Sequence, residues 1–164
     1  MKKSRDLEMV FLKPGEIVVT GEPLRVTTLL GSCVAVTMYV PRLKVGGICH
    51  ALLPKCRNDH SDCCREAGKY VRCAIEVMLE ELNLHGVLVS EIEGKVFGGS
   101  DMFDTVDDRR QSVGMQNIDM ARLVLEENGV RVATQDLGGP RGRKIIFNIN
   151  TGEVFLKRLR KTEV

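Results

Sequence analysis

Apolar positions run in short, nearly continuous blocks through the first third of the chain and again through its last third, and fall on a helical period in two stretches between them. After a short polar lead, residues 16–20 carry the β-branched content of a strand, and Gly21-Glu22-Pro23 breaks it. Residues 25–30 resume extended structure, Gly31-Ser32 makes a corner, and residues 34–40 form the next strand up to Pro41. Residues 45–53 read as a further strand closed by Pro54. Hydrophobic residues there are almost uninterrupted, so both faces of these strands are expected to be covered.

From about residue 64 to residue 84 the period changes. Val71, Ala74, Ile75, Met78 and Leu82 recur at three- and four-residue steps while most charged residues fall elsewhere, which predicts an amphipathic helix ending near His85-Gly86. Residues 87–92 and 95–97 read as strands, and Gly98-Gly99 marks a place where backbone must bend or approach another group closely. Residues 100–114 are polar and lack a sustained period, as a loop does. A second helix is expected with Asn117 or the residues just before it as cap, Ile118, Ala121 and Leu125 on its apolar side, and Asn128-Gly129 as its stop. Strands at 130–136, 144–148 and 154–159 complete the chain, the last two joined by a hairpin turn at Asn148-Ile149-Asn150-Thr151-Gly152. No repeat, linker or composition shift divides residues 1–164, so one α+β domain with a strand-rich core is expected.

Composition changes this picture little. The chain of 164 residues is long enough to bury its own core without metal or disulfide support. Lys and Arg (24) nearly balance Asp and Glu (22), with the basic residues spread out except at Lys157-Arg158-Leu159-Arg160-Lys161, so no nucleic-acid partner is expected. No apolar run reaches the length of a membrane span and Met1-Lys2-Lys3 leads into no signal-peptide core, which places the protein in the cytoplasm without direct membrane insertion. In that compartment the six cysteines read as reduced thiols. Cys56, His60, Cys63 and Cys64 lie close together, but their spacing is a poor match to the paired knuckles of a zinc site, so no metal is expected and the segment reads as a polar loop that happens to carry thiols.

The candidate chemistry centres on Cys33 and His50. A thiol just beyond a Gly31-Ser32 corner, where backbone N–H groups can point at a substrate, is the arrangement a cysteine nucleophile needs. A cysteine in an apolar strand also serves as a small core residue, and the pattern leaves both readings open. A catalytic thiol requires a base beside it. His60 sits in a polar loop and His85 suits a helix C-terminus, whereas His50 ends a buried-looking strand and lacks such a role. If the strands carrying Cys33 and His50 pair, the two side chains meet at one sheet edge, the Thr27 hydroxyl can orient the imidazole, and Ser32 with the Cys33 N–H can bind an oxyanion.

The segment Thr27-Thr28-Leu29-Leu30-Gly31-Ser32-Cys33-Val34-Ala35-Val36, with Gly47-Ile48-Cys49-His50-Ala51-Leu52-Leu53-Pro54, resembles the signature of CheD, the chemoreceptor glutamine deamidase family of bacterial chemotaxis. The likeness continues through Lys69-Tyr70, Lys95-Val96-Phe97-Gly98-Gly99, Gly114-Met115-Gln116-Asn117 and Gly142-Arg143-Lys144, and so covers almost the whole chain. Ser100 stands where the family often has another small residue, and the cysteine-bearing loop from 56 to 64 is a departure from its pattern. The resemblance implies Cys33 as nucleophile, His50 as general base and acid, and Thr27 as the residue orienting His50. It implies a sandwich-like β core flanked by two long helices, similar to the catalytic domains of cytotoxic necrotizing factors. It implies deamidation of glutamines on the cytoplasmic domains of methyl-accepting chemoreceptors, with no cofactor, and a CheC-type phosphatase as a further partner. Gly98, Gly99, Met102 and Phe103 are the expected contact for such a partner or for substrate. Two rivals belong to other classes: a non-catalytic adaptor binding receptors and the phosphatase, against which the intact Thr27, Cys33 and His50 argue, and a metal or redox sensor built on the loop cysteines.

Overall fold

The computed structural model describes residues 7–56, 64–102 and 111–160. Among the described residues, nine strands form two sheets: β1 (Glu8–Phe11), β3 (Leu24–Leu30), β8 (Arg143–Asn148) and β9 (Val154–Arg158) in one, in that order, and β2 (Ile17–Thr20), β5 (Val45–Ala51), β4 (Val34–Val40), β6 (Glu93–Gly98) and β7 (Arg131–Leu137) in the other. The helices α1 (Val71–Leu84) and α2 (Val113–Glu127) pack against each other and against the five-stranded sheet. The mixed α+β expectation holds, with both helices on the same side of the sandwich.

Strand periodicity builds the layers. Along β4, Val34, Val36, Met38 and Val40 join the core beneath the helices, while Ala35 faces the core between the sheets. Along β5, Val45, Cys49 and Ala51 face the helices and Ile48 faces the other sheet. Every residue of β4 and β5 is buried, as their unbroken apolar runs require.

Several expected elements differ. Residues 8–11, read as part of a polar lead, form β1 through parallel pairing with β3, a long-range contact that local pattern does not reveal. Residues 87–92 are not a strand: Val89–Glu91 is a short 3₁₀ turn, held where the Glu91 carboxylate accepts from the Leu88 N–H (2.9 Å) and from Arg42 Nε (2.5 Å). The first helix begins at Val71, because the 3₁₀ segment Cys64–Lys69 is separated from it by the extended Tyr70. The second begins at Val113, capped by the Ser112 hydroxyl, which accepts from the Met115 N–H, so Asn117 lies a turn inside it.

The cysteines divide. Cys33 and Cys49 carry free thiols, whereas Cys56 is disulfide-bonded, against the expectation that every thiol is reduced. Of the residues weighed as a metal cluster, His60 and Cys63 lie outside the described residues.

Candidate active site

The two sheets meet at the corner that follows β3. Ala35 of β4 stands opposite His50 of β5 in the antiparallel ladder. Cys33 extends β4 by one residue beyond Val34 and packs against the same inter-sheet core as Ala35. Cys33 and His50 therefore project from one face as diagonal cross-strand neighbours, a relation that long side chains bridge. The thiol is half-buried and the imidazole is 2% exposed.

The imidazole is held from the opposite sheet. The Thr28 hydroxyl lies 2.7 Å from His50 Nδ1 and donates its own hydrogen to the Leu12 carbonyl, also at 2.7 Å. A hydroxyl has one hydrogen to give, so with that hydrogen on Leu12 it accepts from the ring, and Nδ1 carries the proton. The other nitrogen, Nε2, is then the basic one; it is buried and has no hydrogen-bond partner among the described residues. The Leu12 carbonyl is itself fixed, because the Leu12 N–H donates to the Thr27 carbonyl at 2.8 Å.

Thr28, not Thr27, is thus the residue that orients His50. Thr27 points to the other face of β3, where its hydroxyl donates to the Ile145 carbonyl at 3.0 Å. Strand parity decides this: Val26, Thr28 and Leu30 are buried inward, whereas Arg25, Thr27 and Leu29 face out. The adjacent threonines make the choice invisible to motif reading. The apolar neighbours two residues either side of Thr28, set against a charged Arg25 two residues before Thr27, are the signal that separates them.

Electrostatically the pair is neutral in its resting state. Burial pushes the His50 pKa down to about 4. Burial also raises the Cys33 thiol above its ordinary value, with its own backbone N–H pulling partly the other way. Cys49, on the helix-facing side of β5, is pushed up to about 12 by complete burial and is an inert core thiol.

The nucleophile corner is clamped through its carbonyl groups. Gly31 O accepts from the Ser100 N–H (2.9 Å) and hydroxyl (2.7 Å), Ser32 O from Asn117 Nδ2 (3.0 Å), and Cys33 O from the Gly99 N–H (2.8 Å). In a planar trans peptide the N–H points opposite the C=O, so anchoring the Gly31 and Ser32 carbonyls turns the N–H groups of Ser32 and Cys33 the other way. The same Asn117 amide also donates to the Leu52 carbonyl at 2.9 Å, tying the cysteine corner to the chain just past His50. Sequence reading missed Asn117 in this role. A polar residue on the buried stripe of α2, beside Ile118 and in step with Gly114 and Ala121, is the signal it left.

Gly98 and Gly99 are buried components of this clamp and offer no surface to a partner, which corrects the expected contact there. Both adopt left-handed backbone (φ 105° and 67°), and a Cβ on Gly98 would run into the Cys33 carbonyl, one on Gly99 into Ile118. Arg143, 3% exposed, braces the strand end from behind by donating to the Gly138 carbonyl (2.7 Å) and to Asp136 (2.7 Å). Met102 is partly exposed, and its thioether would meet a Cβ on Gly31 at 3.6 Å, so it stands at the rim of the corner. Phe103 lies outside the described residues.

Comparison with known proteins bears on this geometry. The family model described as CheD chemotactic sensory transduction matches residues 52–158. A probable chemoreceptor glutamine deamidase of Geobacter sulfurreducens is 45% identical over 157 residues, covering 96% of this chain and 94% of that one. A probable chemoreceptor glutamine deamidase of Nitratidesulfovibrio vulgaris is 36% identical over 162 residues, covering 96% of this chain and 81% of the other. Among solved structures, a hypothetical protein YfiH of Bacillus licheniformis superposes with a TM-score of 0.46 at 13% identity, over 75% of this chain and 49% of that one, a likeness that carries no argument.

Proposed function

Because the chain belongs to the CheD family, we propose that it is a protein-glutamine deamidase acting on chemoreceptors, with Cys33 as nucleophile and His50 as the base and acid. The observation that carries the reading is the buried imidazole whose Nδ1 is pinned by Thr28 and whose basic Nε2 has no partner among the described residues and lies on the face it shares with Cys33. A fixed tautomer beside a thiol is the pairing that acyl transfer requires.

The reaction follows from these groups. His50 Nε2 takes the thiol proton as Cys33 Sγ attacks the glutamine carboxamide carbon. The N–H groups of Ser32 and Cys33, turned outward by their clamped carbonyls, receive the oxyanion. The imidazolium then gives its proton to the leaving nitrogen, and ammonia departs, leaving a γ-glutamyl thioester. The same nitrogen deprotonates a water that opens the thioester, restoring the thiol and leaving glutamate on the substrate. Burial that lowers the His50 pKa keeps Nε2 unprotonated at neutral pH, so the base is available without prior loss of a proton.

The substrate segments are the cytoplasmic domains of methyl-accepting chemoreceptors, in keeping with what the relatives are named for, and the protein acts in the cytoplasm where those domains lie. No helix among the described residues is long and apolar enough to cross a membrane. A CheC-type phosphatase as partner is supported by the family resemblance, with Met102 as the described residue that reaches the rim where such a partner would compete with substrate. The layered arrangement of sandwich and helices suits a catalytic fold of the cytotoxic-necrotizing-factor kind, as the same resemblance implies.

The test is mass spectrometry of receptor cytoplasmic fragments incubated with the protein. Specific glutamines are expected to gain the mass of amide-to-acid conversion; fragments that bind the protein and stay unmodified would instead support an adaptor. Thr28 has its own signature. Thr28→Val leaves Nδ1 unpaired in a buried site, which costs about 1–3 kcal/mol, about five- to 150-fold in turnover if it is lost from the transition state, while Thr28→Ser restores most of the rate by restoring the acceptor. Equal rates for the valine and serine variants would remove Thr28 from the machinery.

A further inference from the structure

The helices cover the five-stranded sheet, and no helix or strand among the described residues packs on the outer face of the four-stranded sheet. Across that face the register aligns Phe11, Thr27, Ile146 and Phe155, one from each strand. Phe11 and Phe155 are 53% and 59% exposed, and Met9 and Leu29 on the same face are also exposed. The Thr27 hydroxyl is spent on the Ile145 carbonyl, so this position adds no free donor to the row. Arg25 flanks the row on one side and the Lys144–Lys157 cross-strand pair on the other. Glu153, exposed opposite Asn148, is the acidic residue at the far end of the Arg25 row, and Arg25 and Lys144 form no ion pair among the described residues.

We propose that this face is where the protein substrate docks, and that its occupant is an anionic amphipathic helix next to the glutamine being deamidated; the inference rests on the deamidase reading above. Strand spacing is about 4.8 Å and helical pitch about 5.4 Å, so a helix crossing the strands sets about one apolar residue per turn against each strand of the row. Acidic residues on its flanks meet Arg25 on one side and Lys144 on the other. Leu29 lies only two residues before Gly31, so the face runs directly into the cysteine corner. A second copy of this chain is a poor occupant, because face-to-face stacking would oppose like charges.

The full chain carrying Cys33→Ala, which cannot turn over, is titrated calorimetrically against a chemoreceptor cytoplasmic fragment. Adding Phe155→Thr is expected to weaken binding about tenfold, the effect of losing an aromatic anchor. Adding Lys144→Glu is expected to weaken binding and flatten its salt dependence, while the remote Leu88→Thr leaves affinity unchanged. With Cys33 intact, Phe155→Thr raises KM for the fragment, while iodoacetamide alkylates Cys33 at the wild-type rate. Unfolding transitions of both variants verify the fold, since both side chains are exposed. Wild-type affinity in both variants overturns the proposal. So does wild-type protein that pellets with phosphatidylglycerol vesicles through this face while fragment binding is unaffected, or a dimer that Phe155→Thr dissociates. If wild type leaves the glutamines untouched yet the face variants lose binding, the deamidase reading falls and the docking face stands. Turnover with an unaltered KM removes the face alone.

Discussion

Cys33→Ala is expected to abolish conversion of receptor glutamine to glutamate while leaving the fold in place. On the proposed mechanism the thiol forms the acyl intermediate, and without it the fixed N–H groups have no tetrahedral adduct to stabilise. Loss of a nucleophile from such a unit typically costs at least about 10⁴-fold in turnover. The fold tolerates the change because Cys33 is half-buried and its backbone, not its side chain, makes the clamp to Gly99. Intact-mass analysis supplies a positive sign as well: wild type caught early in turnover should carry a thioester adduct that hydroxylamine removes, and the alanine variant should carry none. Normal turnover by the alanine variant would eliminate the mechanism; loss of turnover together with loss of the cooperative unfolding transition would require Cys33→Ser to decide between chemistry and folding. Cys49→Ala, by contrast, changes a buried inert thiol on the opposite face of β5 and acts on stability alone.

His50→Gln is expected to lower turnover by about 10²–10⁴-fold, the usual contribution of a positioned base and acid. The amide keeps much of the size of the ring and can still donate to Thr28, but it cannot accept the thiol proton. In the wild type, the His50 pKa of about 4 sets the acid limb. Activity should hold from neutral pH down to about pH 5 and fall about tenfold per unit once His50 is protonated. Stability has the same sign. The ordinary value of 6.5 applies to the unfolded chain, so above it His50 is neutral in both states and its burial carries no proton penalty. As pH falls from 6.5 towards 4, the unfolded chain binds a proton that the folded one refuses, and stability drops by up to about 1.4 kcal/mol per pH unit until His50 charges in the fold as well. The glutamine variant should lack that part of the acid sensitivity. Urea unfolding of both proteins at pH 7, 5 and 4 measures it, and parallel losses in the two would place the sensitivity elsewhere.

Several of these features are legible before folding. Gly31-Ser32-Cys33 is a local turn and His50 a histidine with no competing role, so the proposed nucleophile and base stand out from residue type and neighbourhood. The unbroken apolar runs of residues 34–40 and 45–53 announce strands covered on both faces, and both are fully buried over the portions that form strands. The helical period of Val71 to Leu82 is equally plain, because amphipathicity is written into a single segment. The motif points to Thr27 as the third member of the site, whereas Thr28 is the residue that meets His50. Motif spacing cannot tell two adjacent threonines apart, but a strand turns only one of them inward, and the pairing of β3 with β8 fixes which.

What the sequence alone determined is the chemistry that resides in short segments: a thiol after a corner, an imidazole at a strand end, the strands and helices that carry their own period, and the family to which those motifs belong. Tertiary structure decided what depends on contacts between distant segments. It assigned Thr28 to the imidazole, since the Leu12 carbonyl that takes its hydrogen comes from another part of the chain. It brought Ser100 and Asn117 from 69 and 85 residues away to clamp the cysteine corner. It also gathered Phe11, Thr27, Ile146 and Phe155 into a single row. Periodicity reports which way a side chain points within its own element; only the register between elements determines what it meets.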